Sequence, residues 1–268
     1  KGFLKFALKT SSPILPVFIN GKNSKAFYTM SMINKTFSTL LLSREMFKQQ
    51  SKKIEIKVGE IIPFENIIPK NIDKESLPSI YKKHTYGLIK GQSKRFFCTQ
   101  KAIAHPEDRK ILRDEIHKAK LLGATTDDKK IYLYKFENES VILRELGRLR
   151  EFSFRKVGEG VNKKRDTDKY DKYYSHIILW DDDALEIVGA YRICDASEII
   201  SKYGIQGFYS NTLFDFQEGF YPYLKNSIEL GRSFVQPKYW GQGLLIIYCT
   251  GLVPILPQIQ ISSICLVR

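Results

Sequence analysis

Glu229-Leu-Gly-Arg-Ser-Phe-Val235 sets two charged side chains, Glu229 and Arg232, into a run that otherwise reads as a strand from Ile228 to Val235. A simple core requires neither charge there. Two more strands precede it, His176–Trp180 and Glu186–Ile193, linked by the acidic turn Asp181–Asp183, and Arg192 ends the second of them. Further upstream, Ser140 stands before a strong amphipathic stretch, Val141 to Phe154, and Gly158 and Gly160 follow it; this is the start and stop pattern of a helix. Arg150 and Phe154, four apart, share one face of that helix. Between helix and strands lies a tyrosine-rich loop with Asp168 and Asp171, where Tyr170, Tyr173 and Tyr174 are expected to pack.

Outward from this block the pattern is looser. A new block opens near Ile131, and a helix is expected between Glu107 and Leu122, with Gly123 just past its end. Pro63, Pro69 and Pro78 punctuate an irregular stretch. At the start, Phe3, Leu4, Ala7 and Leu8 follow helical spacing, Ile14–Ile19 reads as a strand, and Lys53–Val58 alternates as a half-exposed strand with Ile54, Ile56 and Val58 on one face. The fold class is α/β, in two blocks: residues 1–69 and 131–268, with a partly helical connector over 70–130.

The 268 residues are 43% hydrophobic and 27% charged, the composition of a folded rather than a disordered chain. The formal charge of +14 favours acidic partners, with eleven Lys or Arg against three Glu in the first sixty residues. Cys98, Cys194, Cys249 and Cys265 show no paired spacing, so neither a disulfide framework nor a metal site is expected, and a cytoplasmic setting fits. No signal peptide is visible, and the chain opens on Lys1 rather than methionine. The uncharged stretch Tyr239–Val267 is interrupted by Pro254, Pro257, Gln258 and Gln260, which argues against an ordinary membrane-spanning helix.

Four phrases in order, Gly147-Arg-Leu-Arg-Glu-Phe-Ser-Phe154, Gly189-Ala-Tyr-Arg-Ile193, Gly207-Phe-Tyr-Ser210 and Glu229-Leu-Gly-Arg-Ser-Phe-Val235, resemble the ornithine-lipid N-acyltransferases. Those proteins have the Gcn5-related N-acetyltransferase fold, here expected with a mixed sheet. The spacing of Arg and Phe, paired Asp, Arg, then Glu and Arg also resembles the acyl-homoserine-lactone synthases. The resemblance implies transfer of a long-chain acyl group from acyl carrier protein to the α-amine of an amino acid such as ornithine or glycine, in aminolipid biosynthesis. It implies Glu229 as the catalytic base, with Arg192 and Arg232 holding the amino acid's carboxylate or ordering the Asp168–Asp171 loop. Arg150 and Phe154 would wall the acyl-pantetheine site. No cofactor is expected beyond the donor's acyl-phosphopantetheine, carried by acyl carrier protein or as acyl-CoA. Lys238-Tyr-Trp-Gly-Gln-Gly243 is close to the pyrophosphate loop of acetyl-CoA users, with Lys in its first place. The alternative is that these charges simply pair across the sheet.

Residues Lys1 to about Ile67 resemble the C-terminal half of a lysophospholipid acyltransferase, through Phe3-Leu-Lys-Phe-Ala-Leu-Lys-Thr10, Pro13-Ile-Leu-Pro-Val-Phe-Ile19, Thr39-Leu-Leu-Leu42 and Ile54-Glu-Ile-Lys-Val-Gly-Glu-Ile-Ile-Pro63. That family's His-x4-Asp motif is absent from the matching place. The one such spacing, His176 to Asp181, falls in a strand, where an offset of five puts the side chains on opposite faces. Both blocks together resemble bifunctional aminolipid synthases, peripheral on the inner face of the cytoplasmic membrane, with an anionic membrane surface as partner. After Gln242 the resemblance stops. The tail Gly243–Arg268 is expected to lack the family's cleft-closing helix and Phe-Gly-Pro-Val strand, as a shifted reading frame would cause. A noncatalytic membrane-surface or interaction remnant is the competing reading. Nucleic acid is not expected, because the basic residues form no reader motif.

Overall fold

The computed structural model describes residues 2–33, 35–48, 53–70, 72–90, 96–224, 227–241 and 263–266. The chain divides into two compact units, Lys1–Ala102 and Ile103–Arg268.

In the first unit, helix α1 (Gly2–Thr10) buries Leu4 and Ala7, and strand β1 (Val17–Asn20) follows. Helices α2 (Lys25–Ile33) and α3 (Lys35–Lys48) lead to β2 (Glu55–Val58), which pairs antiparallel with β1 so that Val17 faces Val58 and Ile19 faces Ile56. The expected apolar face of this ribbon is open: Ile54, Ile56 and Val58 are all exposed. The unit's core lies elsewhere, where Leu4, Ala7, Ile62, Ile67 and Phe97 meet Leu77 and Tyr81 of α4 (Leu77–Gly87). Pro78 opens that helix instead of breaking it, because the first turn has no use for its missing N–H.

The second unit begins at residue 103, ahead of the expected boundary. Helix α5 (Arg109–Ile116), capped by Asp108, is shorter than its sequence pattern, since Lys120–Ala124 leaves the helix to form strand β3. β3 pairs antiparallel with β4 (Lys130–Lys135), and a register shift at Leu121–Gly123 marks a bulge. Helix α6 (Val141–Lys156) starts where expected: the Ser140 side chain accepts a hydrogen bond from the Leu143 N–H at 3.2 Å, and the Glu115 carboxylate accepts from the Val141 N–H at 2.9 Å. Ser140→Ala is expected to cost about 0.5–2 kcal/mol, read as a lowered urea midpoint. An unchanged midpoint would show that Glu115 alone suffices as the cap.

Strands β5 (Ser175–Asp181) and β6 (Glu186–Asp195), helix α7 (Ala196–Tyr203), the short helix α8 (Tyr221–Leu224), β7 (Ser227–Val235) and β8 (Ser263–Leu266) complete the unit. The sheet runs β3-β4-β5-β6-β7-β8, antiparallel except for the parallel β7–β8 pair, and is therefore mixed. Period-two alternation splits its side chains. On one face Tyr132, Tyr134, Ile178, Trp180, Ala190 and Phe234 pack against Leu112 and Ile116 of α5 and Ile142, Leu146 and Leu149 of α6. On the other, Ile131, Ile177, Leu179, Val188, Ile193, Ile228 and Leu230 form a second core. The expectation for the tail falls mostly on residues 242–262, outside the described residues, whereas Ser263–Leu266 extends the sheet.

Candidate functional site

Gly147, the first residue of the Gly147–Phe154 phrase, lets the chain after α6 fold back onto the helix. A Cβ there would stand 2.4 Å from Thr167 Cγ2, and the Gly147 carbonyl accepts from the Asp166 N–H at 2.8 Å. This close approach delivers Asp166, Asp168 and Asp171 to the sheet. Asp168 then caps the turn Lys169–Lys172 while the Asp171 side chain reaches back to the Asp168 N–H, a reciprocal capping box.

Three arginines meet these three carboxylates. From α6, fully buried Arg150 donates Nη1 to Asp171 Oδ1 at 2.7 Å and Nη2 to His176 Nδ1 at 3.2 Å. From β6, Arg192 donates Nη1 to Asp168 at 2.7 Å and to Asp171 at 3.3 Å. Its guanidinium carbon lies 5.0–5.6 Å from the ring centres of Tyr170, Tyr174 and Tyr209, within cation–π range. From β7, Arg232 donates to Asp166 at 3.0 Å and to Asp168 at 3.5 Å. Three positive and three negative charges thus compensate one another in a buried cluster.

Burial alone would raise the Asp171 carboxyl, but Arg150 and Arg192 hold it well below the ordinary range. Asp166 goes the other way, raised by burial against the pull of Arg232. His176 is fully buried, and burial, then Arg150, pushes it down to about 3, so its ring is neutral. Because Arg150 donates into Nδ1, the proton sits on Nε2, which faces the Asp171 carbonyl at 3.3 Å. His176 and Asp181 do not pair: Asp181 accepts from the Ala184 N–H at the hairpin turn.

Glu229 lies on β7 opposite Cys194, and it is buried at 3% exposure. Its Oε2 accepts from the Tyr174 hydroxyl at 2.8 Å and its Oε1 from the Ser210 N–H at 3.0 Å. The Tyr174 oxygen in turn accepts from the Tyr209 N–H at 3.0 Å. Burial raises the carboxyl of Glu229 above its ordinary value, against the lowering effect of Tyr174, Ser210 and Arg192. Burial drives the Tyr174 phenol far upward, so it remains a protonated donor. Gly207 permits the turn that brings Ser210 here, since a Cβ there would stand 2.7 Å from both Ile199 and Tyr203.

Just past Glu229 the β6–β7 register shifts between Ala190 and Arg192, and Arg232 takes φ +50°, in the left-handed region. The two observations together describe a β-bulge that turns Arg232 out of simple alternation. Among the described residues, β8 accompanies β7 from Ser227 to Leu230. Beyond the end of β7, a groove of about 580 Å³ is lined by Arg148, Phe152, Lys156, Gln236 and Lys238, among others. Among the described residues no cluster of His, Cys, Asp or Glu is arranged to hold a metal ion.

Of the residues singled out by sequence, the structure joins Arg150, Asp168, Asp171, Arg192 and Arg232 in one network. Glu229 sits beside it, linked through Tyr174, whose ring lies under Arg192. Phe154 is not part of the network and packs against the α6 side of the core. From sequence, Asp166 and Ser210 have no assigned role, His176 is weighed only as a partner of Asp181, and Tyr174 is expected to pack. A signal existed for His176, which faces Arg192 across β5 and β6.

Residues 149–249, which carry every charged side chain of this network, match an acetyltransferase (GNAT) domain. Over 143 residues, 51% of the chain, the sequence is 34% identical to a "Glycine N(alpha)-acyltransferase" of Phocaeicola vulgatus and to one of Bacteroides thetaiotaomicron. The chain spans 44% and 42% of the lengths of these relatives. No solved structure matches it. Residues 149–249 of the second unit are thus similar to an acetyltransferase (GNAT) domain, and over half its length the chain is similar to proteins named glycine N(alpha)-acyltransferase.

Proposed function

We propose that the second unit transfers an acyl group from a thioester to the α-amine of a small amino acid such as glycine or ornithine, with Glu229 as general base. The observation that carries this reading is the buried Glu229 carboxylate, raised above its ordinary value and fixed by two donors at the edge of the β7 bulge. A base matched to an amine nucleophile needs such tuning. The amine nitrogen attacks the thioester carbonyl carbon, and Glu229 takes the nitrogen's proton, directly or through a water. The tetrahedral intermediate then collapses, the carbon–sulfur bond breaks, and the thiolate leaves with the proton that Glu229 took from nitrogen. A backbone N–H of β7 beyond Leu230 serves the oxyanion. Arg232, the least buried of the three arginines at 19% side-chain exposure, takes the acceptor's carboxylate. Arg150 and Arg192 hold the aspartate loop.

The donor is a long-chain acyl-phosphopantetheine on acyl carrier protein, with acyl-CoA as its substitute, and the product is an aminolipid precursor. The formal charge of +14 supports an acidic partner. The test incubates the purified chain with palmitoyl-acyl carrier protein or palmitoyl-CoA and glycine or ornithine, and reads N-palmitoyl amino acid by mass spectrometry. Absence of product with every combination would overturn the reading.

A second reading concerns the first unit. Val17, Ile19, Ile56 and Val58 form an open apolar ribbon face in the most basic part of the chain, which favours a role at an anionic membrane surface, on the inner face of the cytoplasmic membrane. Among the described residues no helix is long and apolar enough to cross a membrane. In this reading the first unit derives from a lysophospholipid acyltransferase and keeps only its surface role. Salt-sensitive co-sedimentation with phosphatidylglycerol vesicles supports it, and no sedimentation at low salt ends it.

A further inference from the structure

The segment between α7 and β7 carries an apolar surface that neither the charged network nor the cores use. Leu213, Phe214, Phe220, Tyr221 and Tyr223 are 53%, 62%, 44%, 37% and 61% exposed, five large side chains within eleven residues. Apolar exposure of that density marks a binding surface.

The surface is tied to the candidate base. The Leu213 and Phe214 N–H groups both donate to the Ser210 carbonyl at 2.9 Å, and the Ser210 N–H donates to Glu229 at 3.0 Å. One residue therefore bridges the carboxylate and the first exposed apolar side chains. From there the rings run outward in steps of similar length. Phe208, buried in the same cluster as Tyr174 and Cys194, lies 6.2 Å from Phe216. Phe216 stacks parallel on Phe220 at 5.8 Å, and Phe220 lies 6.1 Å from Tyr223.

We infer that this aromatic track, from Phe216 through Phe220 to Tyr223, anchored inward on buried Phe208 and with Leu213 and Phe214 beside it, is the subsite for the aliphatic chain of the acyl donor. The inference rests on the proposed function and sharpens it: the chain selects a long-chain acyl group over acetyl. The two acidic residues of the segment, Asp215 and Glu218, are exposed among the rings and disfavour an anionic lipid headgroup as its occupant. An uncharged hydrocarbon tail meets no such objection.

The test compares the full chain with the Phe220→Ser/Tyr223→Ser variant, both residues lying at the far end of the track from Glu229. Calorimetric binding of palmitoyl-CoA and butyryl-CoA is measured together with kcat/KM for each donor. The ratio of palmitoyl to butyryl kcat/KM is expected to fall by about tenfold or more, with palmitoyl-CoA affinity falling in parallel. Equal loss for both donors, or an unchanged ratio, overturns the subsite. Absence of transfer from either donor in the unaltered chain is a failure of the proposed function instead. Calorimetry then still decides the subsite, which stands if the variant loses palmitoyl-CoA binding and falls if it does not. Loss of binding to neutral phosphatidylcholine vesicles, with palmitoyl-CoA affinity intact, would assign the surface to a membrane and also overturn it.

Discussion

Glu229→Gln is expected to slow amide formation by about 10²–10⁴-fold, the usual worth of a positioned general base, while leaving the fold intact. Glutamine keeps the shape and one acceptor but cannot take a proton. Two donors converge on Glu229, the Tyr174 hydroxyl and the Ser210 N–H. The Tyr174 O–H can rotate to meet the new amide, whereas the backbone N–H cannot, so the glutamine oxygen should settle on Ser210. The pH profile supplies a second check. Only the ionised carboxylate is a base, so activity rises as pH climbs through the pKa of Glu229. Burial places that limb above the ordinary carboxylate value. Tyr174→Phe removes a hydrogen bond that favours the ionised form, and the limb should move further up. A Glu229→Gln enzyme retaining more than about a tenth of the rate, or a Tyr174→Phe limb that does not move, would assign both residues to packing.

Much of this geometry was legible in the sequence where local and tertiary demands agree. Ser140 caps the helix it precedes, and the strands around His176, Arg192 and Glu229 alternate against two cores, so their boundaries fall within a residue or two of those observed. That Arg192 and Arg232 order the Asp168–Asp171 loop is one of the two roles the family resemblance implies for them. What escaped was decided by neighbours distant in sequence. Lys120-Leu-Leu122 closes the expected helix, yet its backbone pairs with β4, and pairing overrides propensity. His176 reads as one polar residue in an apolar strand. It becomes a partner of Arg150 only because α6 crosses that face of the sheet. Asp166 stands outside the spaced motif and is recruited because Gly147 admits the loop against the helix. The ring track has no period at all, since it is built from turns. The candidate site is therefore written in residue types, and its wiring in the packing of α6 on the sheet.

That wiring has a measurable strength. Asp171→Asn is expected to destabilise the second unit by about 3–5 kcal/mol, the cost of leaving a buried charge without its partner. Asp171 and Arg150 are each 1% exposed in their side chains and 2.7 Å apart, and Arg192 adds a second cation at 3.3 Å. Asparagine could accept one of these hydrogen bonds but would compensate neither charge. For a unit of this size the loss corresponds to a fall in Tm of roughly 6–20 °C. Both tryptophans, Trp180 and Trp240, lie in the second unit, so their fluorescence reports its unfolding. The pH dependence has a definite sign. The folded-state pKa of Asp171 is depressed, so its stabilisation is fully present above the unfolded value of about 4 and is lost as pH falls. The Asp171→Asn chain should therefore show a shallower loss of stability on acidification. Arg150→Met combined with Asp171→Asn should cost about 1–3 kcal/mol less than the two single changes added together, because the pair removes a charge from each side. Strict additivity, with each single change costing below about 1 kcal/mol, is what a solvated surface pair would give, and it would remove the buried network as the frame that holds Glu229 in place.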